Sequence, residues 1–178
     1  MKNRVLLVLS VVLWCSLPVW AATAKAVIKG TVPGSIVVGE VTLTEKDNGL
    51  SVQAIAVNLT PGKHGLHIHE NGSCDDAGKA AGGHFNPDKV MHGYMPKDGM
   101  EHAHPGDMGN IEADAQGRAA LMVFLPGVTL AEGKYAVAGK SVIVHEKEDD
   151  LSQPTGNAGG RVGCGVITLV QEAKNPAQ

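Results

Sequence analysis

Residues 37–59 read VVGEVTLTEKDNGLSVQAIAVNL, and this stretch decides the fold class. Residues 37–44 and 51–59 are runs of strand length, rich in β-branched and aliphatic residues, and part of each run alternates with polar residues. The sequence Asp-Asn-Gly at 47–49 lies between them and is a strong signal for a tight turn. The stretch therefore predicts an antiparallel β-hairpin.

Similar runs, separated by turn residues, continue along the chain at 26–29, 64–70, 109–113, 119–125, 140–145 and 165–170. No segment keeps a 3.6-residue apolar period over three helical turns, and the 23 glycines are too frequent for long helices. The pattern predicts an all-β fold, an eight-stranded antiparallel β-sandwich or flattened barrel with Val, Ile and Leu inside. Two glycine-rich segments, 71–108 and 146–163, do not resemble strands, and long loops of this kind are usually functional.

Composition narrows the functional classes. The chain has 178 residues, 43% of them hydrophobic and 19% charged, which suits one folded domain. The formal charge of −3 and the isoelectric point near 6.2 give no basic surface for a nucleic-acid backbone. We therefore expect no nucleic-acid partner.

The N-terminus has the layout of a secretory signal peptide, which we assign to residues 1–24, leaving 25–178 as the single mature domain. Lys2 and Arg4 precede an apolar run at 5–17 that is too short to span a bilayer. Cleavage after any of three alanines fits the small-residue rule: Ala21, Ala22 or Ala24.

The cysteines indicate an oxidising compartment. Cys15 lies in the leader and follows Trp14, where a lipoprotein signal normally has a small residue, so no stable membrane anchor is expected. Cys74 and Cys164 remain in the mature chain, and pairing is the expected state for exported cysteines. Two buried free thiols are the alternative.

Histidine is the unusual component of the composition. The chain has 8 His but only two residues each of Trp, Tyr and Phe. His67 and His69 are two apart on a predicted strand, so their rings share one face. His145 ends a β-branched run, and the 71–108 segment carries the other candidate ligands: His84, His92, His102, His104 and Asp107.

Imidazole is the most common protein ligand for zinc and copper, so these residues could form two metal sites. Three imidazoles with one carboxylate suit tetrahedral zinc, whereas four nitrogens in a plane suit Cu(II). Two histidines are expected to play other roles. His64 falls on the opposite strand face from His67 and is expected to be a packed, hydrogen-bonded residue, and His102 is expected to be a solvated loop residue.

Five stretches, in order and spacing, resemble the copper/zinc superoxide dismutases. They are GLHIHE at 65–70, GGHFNP at 82–87, HPGDMGN at 104–110, VHEK at 144–147 and GNAGGRVGCGV at 156–166. The resemblance covers residues 26–170 and implies a Greek-key order of the strands. The leader and the loop style are similar to those of the bacterial periplasmic members.

The resemblance also implies roles for individual residues. The copper ligands would be His67, His69, His84 and His145. The zinc ligands would be His84, His92, His104 and Asp107, so that the ring of His84 bridges both metals. Cys74 and Cys164 would form the family's disulfide, Asp149 would accept hydrogen bonds from one copper and one zinc histidine, and Arg161 would draw in the anion. The catalytic residues would then be Arg161 and His84.

The activity implied is dismutation of superoxide to dioxygen and hydrogen peroxide by a redox-cycling copper beside a zinc. An exported chain of this kind would act in the periplasm and protect the cell envelope, as a monomer or a homodimer. A non-catalytic exported copper-binding or chaperone protein on the same fold is the alternative. Residues 151–155 are nearly uncharged, so the resemblance assigns no steering residue beyond Arg161.

Overall fold

The computed structural model describes residues 21–170, so most of the predicted leader and the last eight positions lie outside the described residues. Within these described residues there are nine strands, with these bounds: β1 Thr23–Gly30, β2 Val38–Lys46, β3 Gly49–Val57, β4 Gly62–His69, β5 Asp107–Ala113, β6 Ala119–Pro126, β7 Ser141–His145, β8 Arg161–Val166 and β9 Thr168–Leu169. Helical structure within 21–170 is limited to a 3-10 turn, Lys79–Ala81, and one short helix, α1 Met95–Asp98.

The predicted hairpin is confirmed. Lys46 of β2 pairs directly with Gly49 of β3, and Asp47 and Asn48 form the two-residue turn. Asn48 has a φ of 64°, in the left-handed region that asparagine tolerates better than most residues. The turn sequence thus fixes the register of the longest strand pair.

Eight strands close into a barrel. The order around it is β2-β3-β6-β5-β4-β7-β8-β1, and β1 pairs back onto β2 through seven residue pairs. The strand pairings that build it are antiparallel. β3 lies beside β6, and β4 lies beside β7, so neighbours in the barrel are not consecutive in the chain, as in a Greek key. The predicted all-β fold of eight antiparallel strands is confirmed, in its barrel form.

The last predicted strand differs in detail. Residues 165–170 do not form one run, because the chain leaves the sheet at Ile167 and resumes as β9. The backbone N–H of Ile167 donates to the carbonyl of Lys140, and the side chain is buried in the core. The backbone of Ile167 is thus bonded to the segment before β7, whereas β9 pairs with β1, so the predicted run is divided between two partners.

The barrel interior is aliphatic, as expected. Strand β1 shows the alternation clearly, with Ala24, Ala26 and Ile28 buried between more exposed residues. The larger fully buried side chains include Leu43, Leu50, Leu66, Ile68, Ile111 and Leu125. In the described part of the chain, neither helical segment has the length and apolar character required to cross a membrane.

Two long loops lie against the outside of the β4–β7 strand pair. Loop A (70–106) follows β4, and loop B (146–160) follows β7. Loop A is hydrogen-bonded back to β4, since the N–H of Ile68 donates to Gly106 and the N–H of Phe85 donates to Ile68. This arrangement brings polar residues of both loops over His67, near the middle of the strand pair.

Candidate metal centre

Four buried histidines form the first cluster, called here the four-histidine set. His67 and His69 lie on β4, His145 ends β7, and His84 comes from loop A. The strand period of two places His67 and His69 on one face, and β7 brings His145 beside them. One nitrogen of each ring lies within 4.8 Å of the other three, and the Nε2 atoms of His69 and His145 are 3.3 Å apart.

A second buried cluster, the three-histidine set, combines His84, His92 and His104 of loop A with Asp107, the first residue of β5. The Oδ1 atom of Asp107 lies 2.8 Å from His84 Nδ1 and 3.1 Å from His104 Nδ1. Its Oδ2 atom lies 2.8 Å from His92 Nδ1 and also accepts the backbone N–H of His104 at 3.0 Å. One carboxylate therefore organises all three rings.

Both sets fit metal ions. The Nδ1 atoms of His67 and His92 are buried without a hydrogen-bond partner, which is costly unless another ligand satisfies them. His92 Nδ1 is near Asp107 Oδ2, yet the angles are wrong for a hydrogen bond, as expected when both atoms face a common point. The separations of 2.8 to 3.4 Å are close to the ~3.3 Å edge of a tetrahedron with ~2.0 Å zinc bonds.

His84 belongs to both sets. Its Nδ1 atom lies with Asp107 and His104, while its ring packs 4.1 Å, centroid to centroid, from His67 and 5.0 Å from His69. An imidazole has two nitrogens on opposite sides of the ring, so one residue can serve two neighbouring sites. This shared ring was part of the prediction, and the structure brings it into both clusters.

Asp149 of loop B links the sets a second time. Its buried carboxylate accepts hydrogen bonds from His67 Nε2 at 2.8 Å and from His92 Nε2 at 3.0 Å. These contacts leave the Nδ1 atoms of both rings free for a metal, which is the usual arrangement behind a metal-bound histidine.

Two side-chain amides that were not predicted from the sequence hydrogen-bond to the backbone of Asp149 and His92. Asn110 hydrogen-bonds to both the N–H and the C=O of Asp149, at 2.8 and 2.9 Å. Gln153 does the same to His92. Asn110 lies inside the HPGDMGN motif, which offered a signal, whereas Gln153 lies in a loop whose sequence gave none.

The electrostatics of the two sets differ. Burial, together with the neighbouring rings, lowers the pKa of His69 to about 2. Burial similarly lowers the pKa of His145 to about 3 and that of His84 to about 4. These imidazoles are neutral near pH 7 and hence ready to bind a metal ion.

The carboxylates reverse this effect at His92. Burial alone would lower its pKa, but the neighbouring carboxylates of Asp107 and Asp149 raise it to about 9. Burial acts to raise the pKa of each carboxyl group, yet the histidine hydrogen bonds hold the pKa values of Asp107 and Asp149 well below their usual range. The three-histidine set without metal therefore holds a proton that a cation would displace.

Arg161, the first residue of β8, is half-buried and held in one orientation. Its guanidinium donates to the carbonyls of Gly78 and Gly82 in loop A, the latter at 2.6 Å. The predicted disulfide is confirmed: Cys74 of loop A and Cys164 of β8 are bonded, with Cα atoms 5.7 Å apart. The bond therefore fixes the part of loop A that orients Arg161.

The two histidines outside the sets occupy the expected environments. His64 is buried, and its Nδ1 and Nε2 atoms lie 2.8 Å from the carbonyls of His145 and Thr60. His102 is an exposed residue of loop A. Each of the seven predicted ligand residues thus falls in a cluster, and neither of the other two histidines does.

Comparison with known proteins agrees with this geometry. The family model for copper/zinc superoxide dismutase matches residues 37–167. An extracellular Cu-Zn superoxide dismutase of Caenorhabditis elegans is 37% identical over 97% of this chain and 80% of its own length. One of Drosophila melanogaster is 44% identical over 74% of this chain and 75% of its own length. The chain belongs to the copper/zinc superoxide dismutase family.

Proposed function

We propose that this chain dismutates superoxide with copper at the four-histidine set and zinc at the three-histidine set. The observation that carries the proposal is that His84 is shared by two adjacent clusters, one of imidazoles only and one containing a carboxylate. Imidazoles alone suit copper, and the mixed set suits zinc. In the overall reaction one superoxide is oxidised to dioxygen, and a second, with two protons, is reduced to hydrogen peroxide.

Copper bound at the four-histidine set would supply the one-electron chemistry of the reaction. His84 is the residue suited to carry a proton to the reduced oxygen. Its Nδ1 atom is held beside Asp107, so the ring stays in place while Nε2, on the opposite side, takes and returns the proton. Asp149 keeps His67 and His92 in the orientations that direct their Nδ1 atoms at the metals.

Arg161 is proposed to bring the substrate to the four-histidine set. The chain carries a formal charge of −3, so an anion needs a local positive charge at the site. The two carbonyl contacts fix the guanidinium, and a fixed charge orients a small anion with little loss of entropy.

We also propose export, with residues 1–24 containing the leader and the periplasm as the destination. The relatives from C. elegans and D. melanogaster are extracellular. Ala24 is fully buried in β1 and pairs with Leu43 and Leu169, so cleavage after Ala21 or Ala22 keeps this strand whole. Mass spectrometry of the exported protein would give the new N-terminus; cleavage after Ala24 would contradict the choice.

The mature chain is further proposed to lack a stable membrane anchor and to act as a monomer or a homodimer. Sedimentation of the metal-loaded protein tests the second point directly. A single species with the mass of one chain at micromolar concentration would exclude the dimer.

The activity test combines metal content with rate. Purified protein is loaded with copper and zinc, and superoxide dismutation is measured on the same sample. His145→Ala removes a ligand of the four-histidine set, and His102→Ala removes an exposed histidine of loop A as the matched control. We expect the wild type and His102→Ala to be active, and His145→Ala to lose both copper and activity. A fully loaded wild type no faster than free copper would favour the non-catalytic copper-binding alternative.

A further inference from the structure

Gln153 of loop B makes a paired contact with the backbone of His92 in loop A. The N–H of His92 donates to Gln153 Oε1 at 2.9 Å, and Gln153 Nε2 donates to the carbonyl of His92 at 2.8 Å. The two residues are 61 positions apart, so the contact joins two loops that neither strand pairing nor the disulfide joins at this point.

Two hydrogen bonds to the same residue constrain it more than one would. A side-chain amide presents a donor and an acceptor side by side and occupies the place of a neighbouring strand. One bond alone would let the peptide pivot about it, whereas two fix the direction of both backbone groups. The Cα–Cβ bond of His92 is therefore fixed by Gln153.

The ring of His92 is then fixed by Asp149. Its Nε2 atom lies 3.0 and 3.1 Å from the two carboxylate oxygens, which leaves Nδ1 pointing into the three-histidine set. Asp149 is itself held by the amide of Asn110 through the same two-bond contact. At both ends of the His92–Asp149 contact, an amide from another element thus fixes the backbone.

Gly156 shows how closely loop B fits over this contact. Its φ is +75°, and a Cβ there would lie 1.8 Å from Asp149 Oδ1 and 2.7 Å from His92 Nε2. The N–H of Asp150 donates to the carbonyl of Gly156, which closes the segment that carries Gln153. Loop B therefore holds Gln153 beside His92 in a defined conformation, although Gln153 is an exposed residue.

We infer that Gln153 is a positioning residue for the zinc site, which holds the backbone of His92 so that Nδ1 meets the metal. The inference rests on the proposed zinc set. It gives a role to the nearly uncharged segment at 151–155, where the sequence predicted no steering residue. Because the side chain is exposed, the role does not come from core packing.

The test replaces the amide and measures zinc binding without reference to activity. Gln153→Met keeps the length of the side chain and removes both hydrogen bonds, and Gln153→Ala removes the whole contact. We expect each to weaken zinc binding about tenfold in competition with a chelator, the lower end of the range for residues behind a metal ligand. Gln53→Met, at an exposed position on β3, is the matched control and should bind zinc like the wild type.

Cobalt provides a geometric readout. Co²⁺ bound in place of zinc has a visible spectrum that depends on ligand geometry. We expect Gln153→Met to shift or weaken that spectrum, while the unfolding midpoint of the metal-free protein stays that of the wild type. Zinc affinity within twofold of the wild type in both variants, with an unchanged cobalt spectrum, would overturn the inference.

The same assay separates this inference from the proposed zinc site. Asp107→Ala should abolish tight zinc binding if the three-histidine set is the site. If it does not, the site assignment fails. If Asp107→Ala loses zinc while Gln153→Met keeps it, the site assignment stands and only the role of Gln153 fails.

Discussion

The two metal sets are built on different supports. Three residues of the four-histidine set, His67, His69 and His145, belong to strands β4 and β7, which pair directly. In the three-histidine set, every histidine comes from loop A, and Asp107 alone belongs to a strand. A sheet fixes its side chains through backbone pairing, whereas a loop needs other contacts to do so. Here the carboxylates, the amides and the disulfide provide them.

The protonation of the histidines also differs between the strand-borne and the loop-borne residues. His69 and His145 lie among other rings, backbone carbonyls and the Arg161 guanidinium, and burial lowers their pKa values so that both are neutral near pH 7. The loop-borne His92 lies between two carboxylates that hold it as a cation in the absence of metal. The strand-borne histidines are therefore preformed, while the loop-borne set is held together by charge until a cation displaces the proton.

The largest effect is expected from the disulfide, which anchors loop A to β8. Its two cysteines are 90 positions apart, and the loop-closure model puts the stabilisation at about 4–5 kcal/mol at most. Cys74→Ser combined with Cys164→Ser should lower the free energy of unfolding of the metal-free protein towards that limit, measured with denaturant. In this variant, the rates of backbone amide hydrogen exchange should rise more in loop A than in β4 and β7, relative to the wild type. Equal rises in loop and strands would contradict the division between the two supports.

Asp107 offers the next largest effect, and a selective one. Asp107→Asn keeps the shape of the side chain and removes its charge. A four-ligand zinc site binds with about 10–16 kcal/mol, so losing one ligand, about 3 kcal/mol, should weaken zinc binding more than a hundredfold. Copper binding should change far less, because the strands hold that set. His145→Gln is the converse variant and should weaken copper while zinc is retained, both measured by competition with a chelator.

Much of this division was already predictable from the sequence. Val, Ile and Leu alternation with the Asp-Asn-Gly turn predicted the barrel, because strand period and turn chemistry are local properties. The period of two put His67 and His69 on one face for the same reason. The pairing of the cysteines followed from the expected compartment, and the composition of the two ligand sets followed from the family motifs.

The contact of Asp149 with two of the histidines followed from the family motifs, but the contact of Gln153 with His92 could not be predicted in this way. Gln153 reaches His92 only because loop B folds over loop A, and no local pattern encodes the meeting of two irregular segments. The break at Ile167 has a similar origin, since the chain changes its partner there from β7 to β1, which no local pattern encodes. Long-range loop packing therefore accounts for most of what the sequence left undetermined.

In the metal-free protein, the free energy of unfolding should depend on pH through both sets of histidines. The folded-state pKa values of His69, His84 and His145 lie below the unfolded value near 6.5. Their contribution to the free energy of unfolding is therefore complete above pH 6.5 and is lost as the pH falls. His92, with a pKa of about 9, contributes fully below 6.5 and loses its contribution as the pH rises to 9.

Each group can change the free energy of unfolding by up to about 1.4 kcal/mol per pH unit. We expect a maximum near pH 6.5–7 and a fall of at least ~1 kcal/mol by pH 5.5, measured by denaturant unfolding with circular dichroism. His145→Gln should reduce the fall in the free energy of unfolding below pH 6.5. His92→Gln should reduce the fall at alkaline pH. A single variant that flattened both sides would show that the two sets titrate as one unit and remove the distinction drawn here.

The smallest effect is expected at Arg161, which we propose acts on the substrate and on neither metal. Arg161→Ala should lower the dismutation rate about tenfold and weaken its dependence on ionic strength, because the fixed positive charge that attracts the anion is gone. Arg161→Lys should recover part of the rate, since an ammonium keeps the charge but cannot donate to Gly78 and Gly82 in the same way. Arg118→Ala removes an exposed arginine paired with Asp114 and should leave the rate unchanged.

Because Arg161 is anchored by loop A but serves the strand-borne set, zinc and copper content should stay at wild-type levels in all three variants. Loss of copper from Arg161→Ala would instead make this residue part of the support of the four-histidine set.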